Sequence, residues 1–390
     1  MSISDFSRYR LMTPGPVPLP QLALEQMGQP MIHHRTPEFT QILERVLKKL
    51  KEAFLTKQPV MMHVSTGSGG MESALVNTLS PGDEVLCVVS GKFGERWRDI
   101  AMAYHMKTHT IEVPWGEAVD PFQVRSALEA RPQIRAVLCQ ASETSTAVLH
   151  PIQEIAEIVK AHQNTLFMVD AITAIGSTPL PMDEWGIDVV VAGSQKAFML
   201  PTGLAFVALS EKAWRFQKTS TCPRYYFDLA AEKEANSSGQ THFSSAVSHI
   251  RALDVALDFF SDEGLKRSIK RSQLMADVFR AGVKALGLAL YSKAPTPAVT
   301  AVLLPEEIDG KKLRKHIEEK YNITVMGGQG MLTGKILRVG HLGNISDDDV
   351  VATIEALGLS LIDLGLATPT AEGLNEAVKG AQTALLKGEI

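Results

Sequence analysis

A lysine carries the first chemical signal in this chain. The stretch Ile187-Asp188-Val189-Val190-Val191-Ala192 is apolar but for one aspartate, turns on Gly193-Ser194-Gln195 and then presents Lys196. Lysines are seldom buried, and one at the end of a strand reads first as a surface residue. In an apolar pocket the same group behaves differently. The ammonium loses hydration, its pKa falls, and a nucleophilic free amine becomes available. That is what is needed to hold an aldehyde as an imine.

Other residues could serve such a centre. The turn Ser65-Thr66-Gly67-Ser68-Gly69-Gly70 follows the apolar run Val60–Val64 and opens a helix. Small residues let backbone close on an anion, and a helix start offers free N–H groups, so the turn reads as a phosphate cradle. It has neither the Gly-Lys-Ser/Thr ending of a P-loop nor the Gly-x-Gly-x-x-Gly spacing. Asp170 ends the run Leu166-Phe167-Met168-Val169. A carboxylate there either caps the following segment or holds a proton on a heterocyclic nitrogen. Arg338, inside Ile336-Leu337-Arg338-Val339-Gly340, is expected to have an anionic partner. That partner is a structural carboxylate or the carboxylate of a substrate. Phe93, after Ser90-Gly91-Lys92, is placed at a strand-end loop where it can stack on a planar ring. His105 and His109 have no third ligand in range of sequence, so no metal site is expected.

The elements that must hold these residues alternate. Strands are expected at Val60–Val64, Glu84–Ser90, His109–Val113, Ala136–Gln140, Leu166–Asp170, Val189–Ala192 and Ala205–Leu209. Helices are expected between several of them, at Gly70–Leu79, Gly94–Tyr104 and Pro151–Ala161, with an earlier one at Pro37–Leu55. This order argues a mostly parallel sheet wrapped by helices, with ligands beyond the carboxyl ends of the strands. From Ala246 towards Leu286 the pattern is helical with a break near Gly264. A smaller α/β pattern follows: strand Ala298–Leu304, helix Gly310–Lys320, strands Ile323–Met326 and Lys335–Gly340, helix Ser346–Leu357, and a last helix between Thr368 and Ile390. The Pro-rich start, Thr13 to Pro20, reads as an extended arm. The division expected is an arm over 1–20, a large unit over 21–255 and a small C-terminal unit over 256–390.

Composition narrows the class. The 390 residues are 45% hydrophobic and 21% charged, with a net charge of −4, which leaves no basic face for nucleic acid and no polybasic membrane anchor. Cys87, Cys139 and Cys222 are too scattered for a zinc site or a disulfide framework. No apolar run is long enough to span a bilayer, and the first ten residues lack an apolar signal region, so a cytoplasmic protein is expected.

Taken together, Thr66-Gly67-Ser68, Asp170, Gln195-Lys196 and Arg338 resemble the class V aminotransferases, pyridoxal-phosphate enzymes of fold type I. The branch most similar is that of alanine–glyoxylate and serine–glyoxylate (serine–pyruvate) aminotransferases. The likeness runs from Leu11-Met12-Thr13-Pro14-Gly15-Pro16 to Leu342-Gly343 and includes Ala74-Leu75-Val76-Asn77, Pro81-Gly82-Asp83 and Val169-Asp170-Ala171-Ile172. Lys196 follows Asp170 by 26 residues, as the family requires.

The resemblance implies a homodimer with the active site at the interface, small amino-acid and 2-oxo-acid substrates, pyridoxal 5′-phosphate as cofactor, and alternating half-reactions. It implies that Lys196 binds the cofactor covalently and then shuttles the proton, while Asp170 pairs with the ring nitrogen. Ile172 and Phe93 would flank the ring, and Thr144 would approach it. Thr66, Gly67, Ser68 and Gln195 would hold the phosphate, and Arg338 the substrate α-carboxylate. Ser244, in His242-Phe243-Ser244-Ser245, stands where many members place a Thr-Pro pair reaching the neighbouring subunit. That segment departs from the family, as does Ala147 in place of a usual glycine, and Phe93 stands where the family often has tryptophan. Alanine or serine with glyoxylate or pyruvate is the expected pairing. Arg35 and Arg224 could serve a more acidic donor such as phosphoserine. A cysteine desulfurase or lyase on the same fold would need a reactive thiol, and Cys222 is the only late cysteine. A catalytically silent scaffold is the remaining alternative.

Overall fold

The computed structural model describes residues 4–261, 263–365 and 369–388. Seven strands form the main sheet: β1 (Val60–Val64), β2 (Glu84–Val89), β3 (Lys107–Glu112), β4 (Ile134–Gln140), β5 (Leu166–Asp170), β6 (Val189–Gly193) and β7 (Leu204–Leu209). Their order is β1-β7-β6-β5-β4-β2-β3. Only β7 runs against its neighbours; the other six point one way. Six strands therefore deliver their carboxyl ends to one edge.

Both faces of this sheet are covered, which is why its strands read as continuous apolar runs. Alternate residues go to opposite sides. Met62, Val88, Val137, Phe167, Val169, Val190 and Phe206 pack with helices Pro37–Phe54, Ile152–Lys160 and Val247–Ala256. Met61, Cys87, Leu138, Met168, Val191 and Val207 pack with helices Gly67–Thr78, Lys92–Ala103 and Glu211–Gln217, around a fully buried Trp97.

A second, antiparallel sheet has β8 (Ala289–Leu290), β9 (Val299–Leu303), β10 (Met326–Gly327) and β11 (Ile336–Gly340) in the order β8-β9-β11-β10. Helices Gly264–Ala285, Asp347–Asp363 and Ala371–Lys387 share its separate apolar core. The last of these lies within the expected tail helix, whose outer limits, Thr368 and Ile390, fall outside the described residues.

Three local differences from the sequence reading matter. The helix expected from Gly70 starts at Gly67, and the one expected from Gly94 starts at Lys92. The phosphate-type turn is thus the helix start itself, and Phe93 lies in a first helical turn, not a loop. The strand expected over Ile323–Met326 divides: Ile323–Thr324 pairs with Arg10–Leu11, while Met326–Gly327 pairs with β11. Helices Gln21–Met27, Pro121–Ala130 and Leu229–Ser237 were not foreseen from periodicity, although Asp120-Pro121 is a start signal: Asp120 accepts from the Phe122 N–H, and proline takes the first helical position.

Candidate active site

The carboxyl ends of β1, β2, β4, β5 and β6 bring together Thr66–Ser68, Phe93, Glu143–Thr144, Asp170–Ile172 and Gln195–Lys196. Lys196 sits in a tight turn after β6. Ser194 fixes it: its hydroxyl donates to the Pro201 carbonyl at 2.7 Å and accepts from the Leu204 N–H at 3.1 Å. The Met199 N–H closes the turn on the Lys196 carbonyl at 2.9 Å, with Met199 itself at a left-handed φ of 55°. The Lys196 side chain is buried, and Nζ donates to the Pro14 carbonyl. Burial lowers its pKa to about 8; Arg338 and Arg96 push the same way, and Asp170 opposes them.

The arm makes that contact possible. Its N–H groups at Arg10 and Met12 donate to Asn322 and Thr324, and the Gly340 N–H donates to Met12. The chain is thereby laid along the small sheet and carried over Lys196. Gly15 has φ +121°, and a Cβ there would stand 2.6 Å from Lys196 Nζ, so only glycine fits between arm and amine. In this chain the arm serves its own lysine.

Asp170 ends β5, buried, with Oδ1 accepting from the Ile172 N–H at 2.8 Å. It caps the turn that follows, at the carboxyl end of the parallel strands. Burial raises its pKa to about 6; the Ile172 N–H lowers it, the neighbouring Glu143 raises it, and Arg96 and Lys196 lower it.

Helix Gly67–Thr78 is left open at its start. The Thr66 side chain makes no capping bond, and the Gly69 and Gly70 N–H groups turn back to the Thr66 carbonyl. Among the described residues nothing accepts from the Gly67 or Ser68 N–H. Ile172 lies against this start, since a Cβ on Gly67 would meet its Cδ1 at 2.5 Å. Gln195 comes close by, its Oε1 3.0 Å from a Cβ built on Gly193, and this buried oxygen has no partner. Turning the amide over would aim an NH2 at the same place.

The helix carrying Phe93 is finished differently. Gly91 has no side chain to cap it, and a neighbouring loop does so. Ser145 Oγ accepts from the Lys92 N–H at 3.0 Å, and Glu143 Oε2 accepts from Phe93 and Gly94 at 2.9 and 3.0 Å. Phe93 is half-buried, with the Arg96 guanidinium 4.7 Å from its ring centre. Glu143, Arg96 and Pro14 are the residues that sequence reasoning missed. Glu143 lies in the turn Glu143-Thr144-Ser145-Thr146, and a buried acid in a Ser/Thr-rich turn announces itself only through three-dimensional contacts.

Arg338 projects from β11 and is buried. Its Nε donates to the Gly327 carbonyl at 2.9 Å and one terminal nitrogen to the Thr144 carbonyl at 3.0 Å. Of the two partners left open by the sequence, the structural carboxylate is not found: among the described residues no carboxylate lies in ion-pair range of it. Burial lowers its pKa to about 10, with Glu143 the anion that opposes the shift. A guanidinium anchored by two carbonyls and lacking a counter-ion suits an incoming carboxylate.

The remaining residues are less central. Ser244 is exposed and lines a small cleft with His63, Val64 and Tyr226, apart from the groups around Lys196. Ala147 adopts φ 59°, the left-handed form that the family's glycine would take without strain. Arg35 is tied to Gln240 and Thr241, and Arg224 to Val76, Ser220 and Asp228. Cys222 is buried, and burial raises its thiol pKa, so no reactive thiolate stands ready.

These residues fit a phosphorylated pyridine aldehyde: an open helix start and an orphaned amide for the phosphate, an apolar side chain and an aromatic ring for the plane, an acid for the ring nitrogen, and a low-pKa amine for the aldehyde. Comparison with known proteins agrees. Residues 22–344 match the family described as aminotransferase class-V. The chain is 39% identical to the small subunit of a soluble hydrogenase from Synechococcus sp. (strain PCC 6716), over 91% of this chain and 93% of that protein. It is 34% identical to the L-aspartate–glyoxylate aminotransferase of Paracoccus denitrificans (strain Pd 1222), over 95% and 96%. The crystal structure of ureidoglycine–glyoxylate aminotransferase from Bacillus subtilis superposes with a TM-score of 0.91 at 28% identity, covering 98% of this chain and all of that one. The chain belongs to the class V aminotransferases, enzymes of the fold type I architecture that transfer amino groups with pyridoxal 5′-phosphate.

Proposed function

We propose that this enzyme moves an amino group from a small amino acid, alanine or serine, to glyoxylate or pyruvate, in two half-reactions that share one site. The observation that carries the reading is the buried Lys196 amine, held near pKa 8 next to an acid at the end of β5. The cofactor supplies an aldehyde for the amino group and a ring that accepts the electron pair left when the α-proton departs. The rest falls to the chain. Lys196 Nζ would hold the aldehyde carbon, with water as the leaving group, and as a free amine it would move the α-proton. Asp170 holds a proton on the ring nitrogen. Thr66, Gly67 and Ser68, with Gln195, hold the phosphate at the open helix start. Ile172 and Phe93 would flank the ring, and Thr144 would approach it. Arg338 takes the substrate α-carboxylate between the two carbonyls that already orient it.

Glyoxylate as acceptor is supported by the names of two similar proteins. A small donor is supported by the engagement of Arg35 and Arg224 elsewhere. One observation favours a second reading, a dicarboxylic donor: Arg96 lies close enough to influence both Asp170 and Lys196, and no carboxylate is in ion-pair range of it among the described residues. The division into an arm (1–20), a large unit (21–255) and a small unit (256–390) belongs to this proposal, supported by the two separate sheets. So do a cytoplasmic location, consistent with the lack of any described helix long and apolar enough to cross a membrane, and a homodimer in which the exposed Ser244 faces a partner's site. A half-reaction screen tests the substrate reading. Cofactor-loaded enzyme is mixed with single amino acids, and the loss of its visible absorbance band is followed. Alanine and serine should discharge the band fastest; discharge by aspartate or glutamate alone would replace the small-donor reading with the second one.

A further inference from the structure

The Glu143 carboxylate has no part in the chemistry above, yet it is fully buried at the centre of the site. Its four hydrogen bonds all come from uncharged donors. Oε2 accepts from the Phe93 and Gly94 N–H groups at 2.9 and 3.0 Å, and Oε1 accepts from the Ser145 N–H and hydroxyl at 3.1 and 2.5 Å. Among the described residues no cation is in ion-pair range of it. A buried acid so placed is a costly way to fill space, and removing it would strand three backbone donors.

What it joins gives it a use. One carboxylate oxygen fixes the first turn of helix Lys92–Ala103, which carries Phe93. The other fixes the turn after β4, whose next residue is Thr144. The Thr144 carbonyl in turn holds a terminal nitrogen of Arg338 at 3.0 Å. The backbone is shaped for this contact: a Cβ on Gly91 would stand 2.6 Å from Glu143 Cδ and 2.4 Å from Ser145 Oγ. A helix, a turn and, through Arg338, a strand of the second sheet are thereby referenced to one side chain.

We infer that Glu143 is a positioning residue of the active site, a clamp that sets the Phe93 ring, the Thr144 carbonyl and, through that carbonyl, the Arg338 guanidinium in one fixed relation. Its effect on cofactor and substrate rests on the aminotransferase reading; the clamp itself does not. An isosteric amide cannot reproduce it, because one end of Gln offers NH2 where a donor pair already points.

The test compares Glu143→Gln with the wild type, and Ser145→Ala as a milder break of the same junction. In cofactor-free protein, amide hydrogen exchange should speed up together in the segments around Lys92–Arg96 and Glu143–Ala147, leaving the central strands protected. In loaded enzyme, Glu143→Gln should weaken pyridoxal-phosphate binding and raise the donor KM by about tenfold each, with kcat changed less, and should alter the circular dichroism of the cofactor band. Ser145→Ala should move the same readouts less far. A Glu143→Gln protein that unfolds at lower temperature but keeps wild-type cofactor affinity, KM and dichroism would overturn the inference, leaving only a structural buried acid. Wild-type protein that binds no cofactor would sink the aminotransferase reading, while unchanged exchange in Glu143→Gln would sink the clamp.

Discussion

A lysine at the end of an apolar strand is reactive to the extent that it is uncharged. With the pKa lowered to about 8, roughly a tenth of the Lys196 amine is neutral at pH 7. At the ordinary lysine value the fraction is about three hundred times smaller. The direction follows from the order of causes: desolvation and two arginines disfavour the ammonium more than Asp170 favours it. In cofactor-free protein, reductive trapping of a simple aldehyde on Lys196 should therefore increase as pH rises and level off above about 8. A rise continuing through pH 10 would show an ordinary exposed lysine. Lys196 and Asp170 were legible in the sequence because each ends an apolar run, where a charged residue stands out. Arg96 and Glu143 were not: a charge near the start of a helix, or inside a Ser/Thr turn, looks solvated until the fold closes around it.

Elements whose signal is local were readable. Val60–Val64 and Leu166–Asp170 match to the residue, because turn-forming or polar residues bracket each run. The arm shows the opposite case. Prolines mark residues 13–20 as extended, but nothing local tells which surface receives them. That depends on Asn322 and Thr324, some three hundred residues later, and on the close approach of Thr13 to Gly340. A Cβ on Gly340 would stand 2.2 Å from the Thr13 carbonyl oxygen, a backbone atom that cannot turn aside. Gly340→Ala should thus lift the arm from the small sheet, lowering stability by about 1–3 kcal/mol as overpacking does. Urea unfolding would measure the loss, and hydrogen exchange should place it at residues 10–16 and at the Lys196 turn, sparing β4 and β5. An alanine variant as stable as the parent, with a protected arm, would show that the approach is looser than described.

Across the whole molecule, the site is assembled from an edge shared by five strand ends, one arginine from a second sheet and an arm that crosses between them. The alternation of strands and helices made this architecture legible, since each apolar run and each amphipathic segment can be buried only by stacking in layers. What alternation does not encode is which small-sheet residue faces the crevice; β11 supplies Arg338 only because the two sheets meet along that edge. Ser244 is exposed, and in the proposed homodimer it would face a neighbour's site. Light scattering should give twice the mass of one chain. Mixing Lys196→Ala subunits with Ser244 variants should then restore partial activity; a fully active monomer would remove the shared site. The most direct measurement concerns the covalent link on which all of this rests. Purified enzyme supplied with pyridoxal phosphate is reduced with borohydride, digested and mapped by mass spectrometry. The expected result is loss of the visible band and a single pyridoxyl adduct on the peptide containing Lys196, absent from Lys196→Ala. An adduct spread over surface lysines, or none, would contradict it.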